Sequence, residues 1–518
     1  MNKRSFLLVL FTLNIGLYLS ASSDSLQRTN LHSVELVHLQ NPWLFTTNPA
    51  ALSQMNLSLK GILNVDYSFE NGDYKRVQQG DKMNSYKFAT SSYSQINDIS
   101  LYGSFNFEKS LENGLNYSNV NDPFRLTPYQ VVDTIGNDIY DREFYSASGG
   151  ISKPFGNKLI LGLASDFTVG LAAQNRDPRP QNKVFNMTVS PGLIWKLDKF
   201  ILGANFIYQY YNEEIEINIV RANYQATFFT LHGPGIATFH EAASFNRLYM
   251  RNSLGFDLQF AYENSKTKSI NGLRFLVHEE TAGDGRKAAD ALWSYIKDDS
   301  QLNAFQFDLY NTTSLMNNER IHSFGYMLNV NTLLGKEIIQ RLERIDGIDM
   351  DDWVTYGVEE KYGAEDFKLN VYYHYFKLKS GSQKDCGLKL YADYHSFIEN
   401  YYIPNQEAYY KNLSFGISID KVFYPHSKSF SLGMNLKYKM NLDGAQNFSD
   451  YTFLAEKILR PDFEYLTCNY LAPGLNVAFE IPTRKIFDQY FIKSAVEFYL
   501  GSNGQSRTIF NLSTGVTF

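Results

Sequence analysis

Hydrophobic and polar residues alternate along most of the chain, in runs of about ten residues. In Leu57–Phe69 every second residue is apolar or glycine, and all the residues between them except Ile62 are polar. The final run, Phe510–Phe518, alternates in the same way. A period of two residues predicts β-strands that present one apolar face and one polar face.

Similar runs recur along the whole chain and predict about eighteen strands, within a range of roughly 14 to 20. Short connections alternate with longer ones, as in bacterial outer-membrane barrels. We therefore predict an all-β fold. Residues 57–518 are expected to form a transmembrane antiparallel β-barrel with short periplasmic turns and long extracellular loops. The predicted loops are Glu70–Met83, Lys109–Arg142, Asn212–Arg247, Thr281–Asn303, Gly335–Asp366 and Asn441–Thr467.

The composition favours a barrel over other classes. The 518 residues include 37 Tyr and 39 Phe, yet the mean hydropathy is only -0.31. A helical membrane protein would be far more apolar, whereas a barrel combines lipid-facing residues, a polar interior and aromatic girdles. A formal net charge of -6 argues against a nucleic-acid partner. Cys386 and Cys468 form no disulfide framework, so free thiols are expected.

Residues 1–23 have the features of a secretory signal peptide. Lys3 and Arg4 precede the apolar stretch Phe6–Leu19, and the small residues that follow offer a cleavage site. Beyond this leader, no apolar run approaches the roughly 20 residues that a spanning helix needs. A mature chain in a membrane would therefore have to be a closed barrel.

Residues 24–56 precede the first clear strand. We expect them to lie in the periplasm or to fold back into the lumen as a plug. The candidate plug residues are Trp43, Phe45, Asn48 and Pro49. The loops Asn212–Arg247 and Gly335–Asp366 exceed the length that a strand connection needs, and we expect them to fold inward from outside.

Three loop segments space their apolar residues as helices do. They are Arg286–Lys297, Glu337–Arg344 and Leu454–Leu459. We predict short helices there, which either pack on neighbouring loops or form a lid or a docking surface.

Several charged and histidine residues project into the predicted lumen. By the alternation they are Asp66, Lys368, His374, Lys389, Asp393 and His395. Ordinary polar lining is the simpler interpretation, and a lumen binding site is the alternative. A loop group of His232, His240, His278, Glu279 and Glu280 lacks the spacing of a metal motif, so we predict no metal or cofactor. No catalytic constellation is visible, and we predict that the protein is not an enzyme.

The chain ends in a strand that resembles the C-terminal signature of outer-membrane barrels. Phe510, Leu512, Val516 and Phe518 match its alternating apolar positions. The resemblance implies recognition of Phe518 by the barrel-assembly machinery and insertion into outer-membrane lipid.

Two further resemblances concern families. The stretch from Asn48 to Leu52 is similar to the Asn-Pro-Ala segment of fatty-acid-transporter-type barrels and their relatives in type IX secretion. Over its full length the chain resembles an uncharacterised family of outer-membrane barrel proteins from the Bacteroides group. That resemblance rests on Asn41–Trp43, Asn48–Ala50, Asp122–Arg125 and the strand layout. It implies fold and location, and no site.

These observations leave two functions open. The first is a gated or plugged channel for uptake of a small nutrient. The second is a non-catalytic surface scaffold that docks a lipoprotein or a larger receptor or secretion complex. A wide polar lumen favours the channel, and long aromatic loops favour the scaffold.

Overall fold

The computed structural model describes residues 41–55, 59–285, 296–345, 350–379, 383–425, 428–448, 453–483 and 487–518. Strands dominate these residues. In chain order they are β1 (Leu59–Gly72), β2 (Lys82–Ile96), β3 (Ile99–Leu115), β4 (Val131–Asp133), β5 (Asp138–Phe155), β6 (Leu159–Gln174), β7 (Pro180–Leu197), β8 (Phe200–Asn218), β9 (Ala226–Gly233), β10 (Ile236–Ala242), β11 (Ser244–Glu263), β12 (Thr267–Asp284), β13 (Lys297–Met316), β14 (Arg320–Ile345), β15 (Met350–Lys379), β16 (Gln383–Tyr401), β17 (Gln406–Phe423), β18 (Ser429–Asn447), β19 (Tyr470–Pro482), β20 (Gln489–Gly501) and β21 (Ser506–Thr517).

Eighteen of the strands in the described residues form one closed antiparallel sheet. Each barrel strand pairs with the barrel strands before and after it, and β1 pairs with β21 to close the ring. At this seam the N–H of Phe518 donates to the carbonyl of Gly61 at 3.0 Å. β4, β9 and β10 form a separate sheet. The predicted all-β barrel and its strand number are confirmed.

Side chains of the barrel strands alternate between the outer surface and the lumen. On β11, Leu254, Phe256, Leu258 and Phe260 point outward and are 45% to 53% exposed, whereas Asp257 between them is fully buried. Exposed apolar residues recur on the outer faces of the other barrel strands, which gives the barrel an apolar outer surface. No helix in the described part of the chain is long and apolar enough to cross a membrane.

The two ends of the barrel differ in their connections. At one, called here the turn end, strands join through tight hairpins such as Asn97–Asp98 and Asp198–Lys199. Asn97 and Asp198 each adopt a φ of 55°, in the left-handed region that such turns require. The other, the loop end, carries the long connections 73–81, 116–137, 219–243 and 448–469.

One predicted loop is wrong. Most of Gly335–Asp366 is strand, because β14 continues to Ile345 and β15 starts at Met350. β13 pairs with β14 only as far as Glu337, and β16 pairs with β15 only from Tyr362 onward. Residues 338–345 and 350–361 therefore form a two-stranded ribbon beyond the barrel rim, called here the projecting hairpin.

The helix predictions had mixed outcomes. Glu337–Arg344 is strand rather than helix, since cross-strand pairs such as Leu342 with Trp353 outweigh its helical spacing. The helix predicted at Leu454–Leu459 is confirmed as a π-helical turn, Ala455–Leu459, that continues into the α-helix Arg460–Thr467, called α1. Most of Arg286–Lys297 and all of 1–40 lie outside the described residues.

Candidate binding cavity in the lumen

The lumen at the turn end holds residues 41–55, called here the N-terminal segment. Two short 3-10 helices form it, Pro42–Phe45 and Pro49–Gln54. Each starts with an Asn-Pro pair, in which the Asn side chain caps the helix and the Pro ring fixes the first helical φ. The carbonyl oxygen of the Asn48 side chain accepts from the N–H of Ala50 at 3.0 Å. The sequence therefore prescribes this compact shape locally.

The N-terminal segment fits the inner face of the wall closely. The Asn48 side-chain amide donates to the carbonyl of Leu193 at 3.0 Å and to Gln259 Oε1 at 2.9 Å. Gly162 and Gly192 supply the room, because a Cβ at either position would overlap the segment. Ser152 on β5 donates to the carbonyl of Ala50 at 3.1 Å.

The four candidate plug residues differ in their surroundings. Trp43, Asn48 and Pro49 are buried, and Trp43 Nε1 donates to Glu263 Oε1 at 3.0 Å. Phe45 remains 46% exposed, so it contributes little to the packing. The segment is thus held by an apolar cluster of Trp43, Ala50 and Ala51 with residues of the wall, and by polar contacts to backbone and side chains of the wall.

The lumen at the loop end holds the sheet of β4, β9 and β10, called here the inner sheet. Val131 of β4 and Phe228 of β9 are fully buried in one apolar cluster with Ile215, Ile217 and Tyr249 of the barrel wall. Most of the predicted loop Asn212–Arg247 therefore either extends the wall or folds into the lumen.

Buried ion pairs tie the neighbouring connection to the wall. Arg247 on β11 is fully buried and donates to Asp284 at 2.6 Å, to Asp299 at 2.8 Å and to the carbonyl of Tyr129 at 3.1 Å. Tyr129 belongs to connection 116–137, and so does Arg125, which forms an ion pair with Glu280 on β12 at 3.0 Å. The charges of the two arginines are thereby balanced in a region with little water.

A cavity of about 890 Å³ lies between these elements and strands β14 to β19. Small-molecule sites typically enclose about 300–1,000 Å³ and combine aromatic walls with a few placed polar groups. Its aromatic lining includes Phe124, Phe397, Tyr410, Tyr465 and Tyr470. Its polar lining includes Asp366, Lys368, Asn370, Asp393, His395, Asn412, Lys437 and Lys439.

A polar network runs along β15 and β16. Asp366 is fully buried, with Oδ1 2.7 Å from His395 Nε2 and Oδ2 2.7 Å from Lys368 Nζ. Asp393 accepts a hydrogen bond from the Asn370 side chain. The strands pair Lys368 with His395 and Asn370 with Asp393, so the register itself brings these groups together.

The structure places all six predicted lumen residues on the inner face of the wall, but not in one site. Lys368, Asp393 and His395 line the cavity. Asp66 accepts from Asn64 on β1 at 2.7 Å. His374 stacks on Tyr372 with ring centroids 4.9 Å apart, and Lys389 Nζ lies 5.8 Å from the Phe376 ring. These three residues are outside the cavity lining.

Several other cavity residues were missed because they belong to loops. The main case is Arg76, in the β1–β2 connection, whose Nε donates to Asp462 of α1 at 2.9 Å. The Val77 N–H donates to the same carboxylate at 3.0 Å, and the Arg76 guanidinium lies 4.2 Å from the Phe124 ring. Three connections thus meet above the cavity and form its roof.

Asp366, Lys368, His395 and Asp393 are held in ion pairs and amide contacts, an arrangement that can bind a polar ligand. Among the described residues, no group of three or more His, Cys, Asp or Glu is placed to hold a metal ion. His232, His240 and His278 lie on three different strands. Cys386 and Cys468 are free thiols.

Comparisons with known proteins add a family. Residues 49–518 match the model of a family of unknown function, DUF6850. No curated protein matches the chain. The matches do not name the Bacteroides group or fatty-acid transporters, so both resemblances stay predictions.

Solved structures that resemble the chain are barrels of low sequence identity. The ferric yersiniabactin uptake receptor FyuA from Yersinia pestis is 9% identical, with 89% of this chain and 80% of that chain covered and a TM-score of 0.37. The RagAB peptide transporter is 6% identical, with 88% and 86% covered and a TM-score of 0.41. The copper transporter OprC is 8% identical, with 89% and 81% covered and a TM-score of 0.36. Likeness at this level says nothing about what this chain binds.

Proposed function

The chain belongs to the DUF6850 family of unknown function, and we propose that it is an outer-membrane channel, closed at rest, that takes up a small polar nutrient through its lumen cavity. The observation that carries the proposal is the cavity of about 890 Å³, which lies inside a barrel wall and under a roof of loops. Its paired charges and aromatic walls suit binding, and we propose no catalytic role.

Membrane insertion is supported by the outer surface and by ring closure. The outward apolar side chains match a lipid environment, and a closed sheet leaves no strand edge exposed to lipid. We propose that the turn end faces the periplasm and the loop end faces outward, as in bacterial barrels. In this orientation β21 and Phe518 present the C-terminal strand to the assembly machinery.

A closed resting state is supported by the contents of the lumen. A barrel of this size leaves an aqueous channel unless something fills it. The N-terminal segment occupies the lumen at the turn end, and the inner sheet occupies it at the loop end. The segment lies against β5, β6, β7, β12 and β13, and we propose that its movement opens the path from the cavity to the periplasm.

Conductance in planar bilayers tests this proposal. The intact protein is expected to show little steady current, and removal of residues 24–50 is expected to open a pore. A variant in which the projecting hairpin is cut back to a short turn serves as the control and should stay closed. Porin-like current from the intact protein would instead indicate an open diffusion pore. If neither form conducts, the channel is disproved and the scaffold gains.

The projecting hairpin favours a second candidate function, a surface scaffold. Leu342, Tyr356 and Val358 are 52% to 56% exposed on a ribbon that extends past the rim. Exposed apolar side chains on such an extension suit docking of a surface lipoprotein. The shortened-hairpin variant tests it, since a lipoprotein partner should co-purify with the intact protein and not with this variant. Equal co-purification would refute the hairpin as the docking element.

A further inference from the structure

Two lysines of the cavity differ from its other cations. Lys437 and Lys439 lie on the inner face of β18, whereas Leu436 and Tyr438 next to them face outward with 43% and 40% exposure. Both lysines line the cavity. Residues two apart on a strand are about 7 Å apart on the same face, so the two side chains lie side by side.

Small and aromatic residues surround the two lysines. Lys439 pairs across the sheet with Ser414 on β17 and with Tyr470 on β19. Lys437 pairs across the sheet with Gly416 and Ala472, and the Tyr391 ring lies over Gly416. The two Nζ atoms lie 5.9 Å (Lys437) and 5.6 Å (Lys439) from the Tyr470 ring centroid.

The other cations of the cavity lining have carboxylate partners. Arg76 is joined to Asp462, Arg125 to Glu280 at 3.0 Å and Lys368 to Asp366 at 2.7 Å. Among the described residues, neither Lys437 nor Lys439 forms a salt bridge. Lys439 Nζ donates to the carbonyl of Leu466 at 2.7 Å and otherwise faces aromatic rings.

The nearby carboxylates accept hydrogen bonds from side chains other than the two lysines. Glu497 accepts from Asn435 at 3.1 Å and from the Tyr499 hydroxyl at 3.0 Å. Asp393 is separated from Lys439 by the strand that carries Ser414, which places the two backbones about 10 Å apart, and it accepts from Asn370. In the described part of the chain, neither lysine therefore has a carboxylate in direct contact.

We infer that Lys437 and Lys439 form a subsite for an oxyanion of the transported solute, a carboxylate, sulfate or phosphate group. This inference rests on the proposed channel function and names the class of its substrate. Two ammonium groups on residues about 7 Å apart along one strand can flank one oxyanion, and lysine side chains in a pore select anions. The rings of Tyr465 and Tyr470 beside them suit an anion attached to a ring-shaped body, because aromatic faces stack on planar or ring surfaces.

Calorimetric titration of the full chain in detergent tests the inference. The probes are benzoate, phenyl sulfate and phenyl phosphate, which separate the three oxyanions, with benzyl alcohol as the uncharged probe. We expect at least one anion to bind the unaltered protein. The double variant K437Q/K439Q should bind it at least tenfold more weakly, and K437R/K439R should retain binding. Benzyl alcohol should not distinguish these proteins.

The control is K109Q/K183Q, which removes two exposed outer-surface lysines and changes the net charge equally. It should bind like the unaltered protein. Heat-modifiable gel migration checks that each variant is a folded barrel. Equal anion binding by K437Q/K439Q, or no anion binding at all, would overturn the inference. The bilayer experiment tests the channel function separately. If removal of residues 24–50 opens a pore but no anion binds, the channel function stands and only the oxyanion subsite is refuted.

Discussion

The two sides of the barrel wall use their inner faces differently. On β5 to β8, glycines such as Gly162 and Gly192 let the N-terminal segment lie against the backbone, and Ile215 and Ile217 pack on the inner sheet. On β15 to β19, long polar side chains such as Lys437 reach into an open cavity. The strand architecture is the same on both sides. The size of the inward residues therefore decides whether a wall is packed or available for ligands.

The largest expected effect comes from adding a side chain at a glycine that contacts the N-terminal segment. A Cβ at Gly162 would overlap the backbone of Ala50, so Gly162→Val should displace the N-terminal segment. We expect steady conductance in planar bilayers to rise to the level reached when residues 24–50 are removed.

The matched control is Gly149→Val on the adjacent strand. A Cβ at Gly149 has nothing within 4 Å, so this variant should stay closed. If Gly162→Val folds into a barrel and stays closed, the glycines are not what seats the segment.

The second prediction concerns a buried charge on β11, where the wall contacts the connection that leads to the inner sheet. Arg247 is fully buried between Asp284 and Asp299, so Arg247→Ala leaves two carboxylates without their cation. Loss of one partner of a buried pair costs about 3–5 kcal/mol. Thermal unfolding in detergent should show this loss. The comparison is Arg179→Ala, which breaks the ion pair of Arg179 with Asp177. Because the Arg179 side chain is 45% exposed, the loss in unfolding free energy should be about 1 kcal/mol or less.

The third prediction makes the same change on the open side. Asp366→Ala removes the partner of Lys368 and His395, which are 48% and 31% exposed to the lumen. Water can solvate the released groups, so the loss in unfolding free energy should be about 1 kcal/mol, well below that of Arg247→Ala. Equal losses from the two variants would show that the open cavity is not hydrated, and the contrast between the two walls would fail.

The fourth prediction is a pH dependence within the inner sheet. Burial raises the pKa of Asp133 to about 7, although the N–H of Ile135 donates to it at 2.8 Å. The folded state therefore holds this proton more tightly than the unfolded state, and stability should fall as pH rises from about 4 to 7. Hydrogen exchange of β4 and β9 should show that fall, and Asp133→Asn should remove it. An unchanged profile in the variant would assign the dependence to another group.

The sequence predicts the strands and the direction of their side chains, because both follow from a period of two residues. Alternation predicted the barrel and placed Lys368, Asp393 and His395 on the inner face, because side-chain direction in a strand is a local property. It failed at Gly335–Asp366, where register shifts at Gly335–Lys336 and Ile339–Gln340 interrupt the alternation within continuous strands. A local pattern cannot distinguish such an interruption from a loop.

The roof of the cavity was beyond the reach of the sequence for a different reason. Arg76 and Asp462 come from connections 386 residues apart in the chain, and neither lies on a strand whose register could bring them together. Contacts between loops depend on the completed barrel. Alternation places Lys437 and Lys439 on the inner face of their strand. Whether a carboxylate contacts them depends on other strands and loops, so the sequence could not show it.

The seam between β1 and β21 also sets the order of assembly. Every other barrel pairing joins strands that are neighbours in the barrel sequence, so the sheet can grow step by step as a ribbon. The last pairing joins residues roughly 450 positions apart, and such non-local contacts are the slow ones in folding. Until it forms, the growing ribbon has two free edges that can capture other chains. The slowest step and the greatest hazard of misassembly therefore coincide in a single pair of strands.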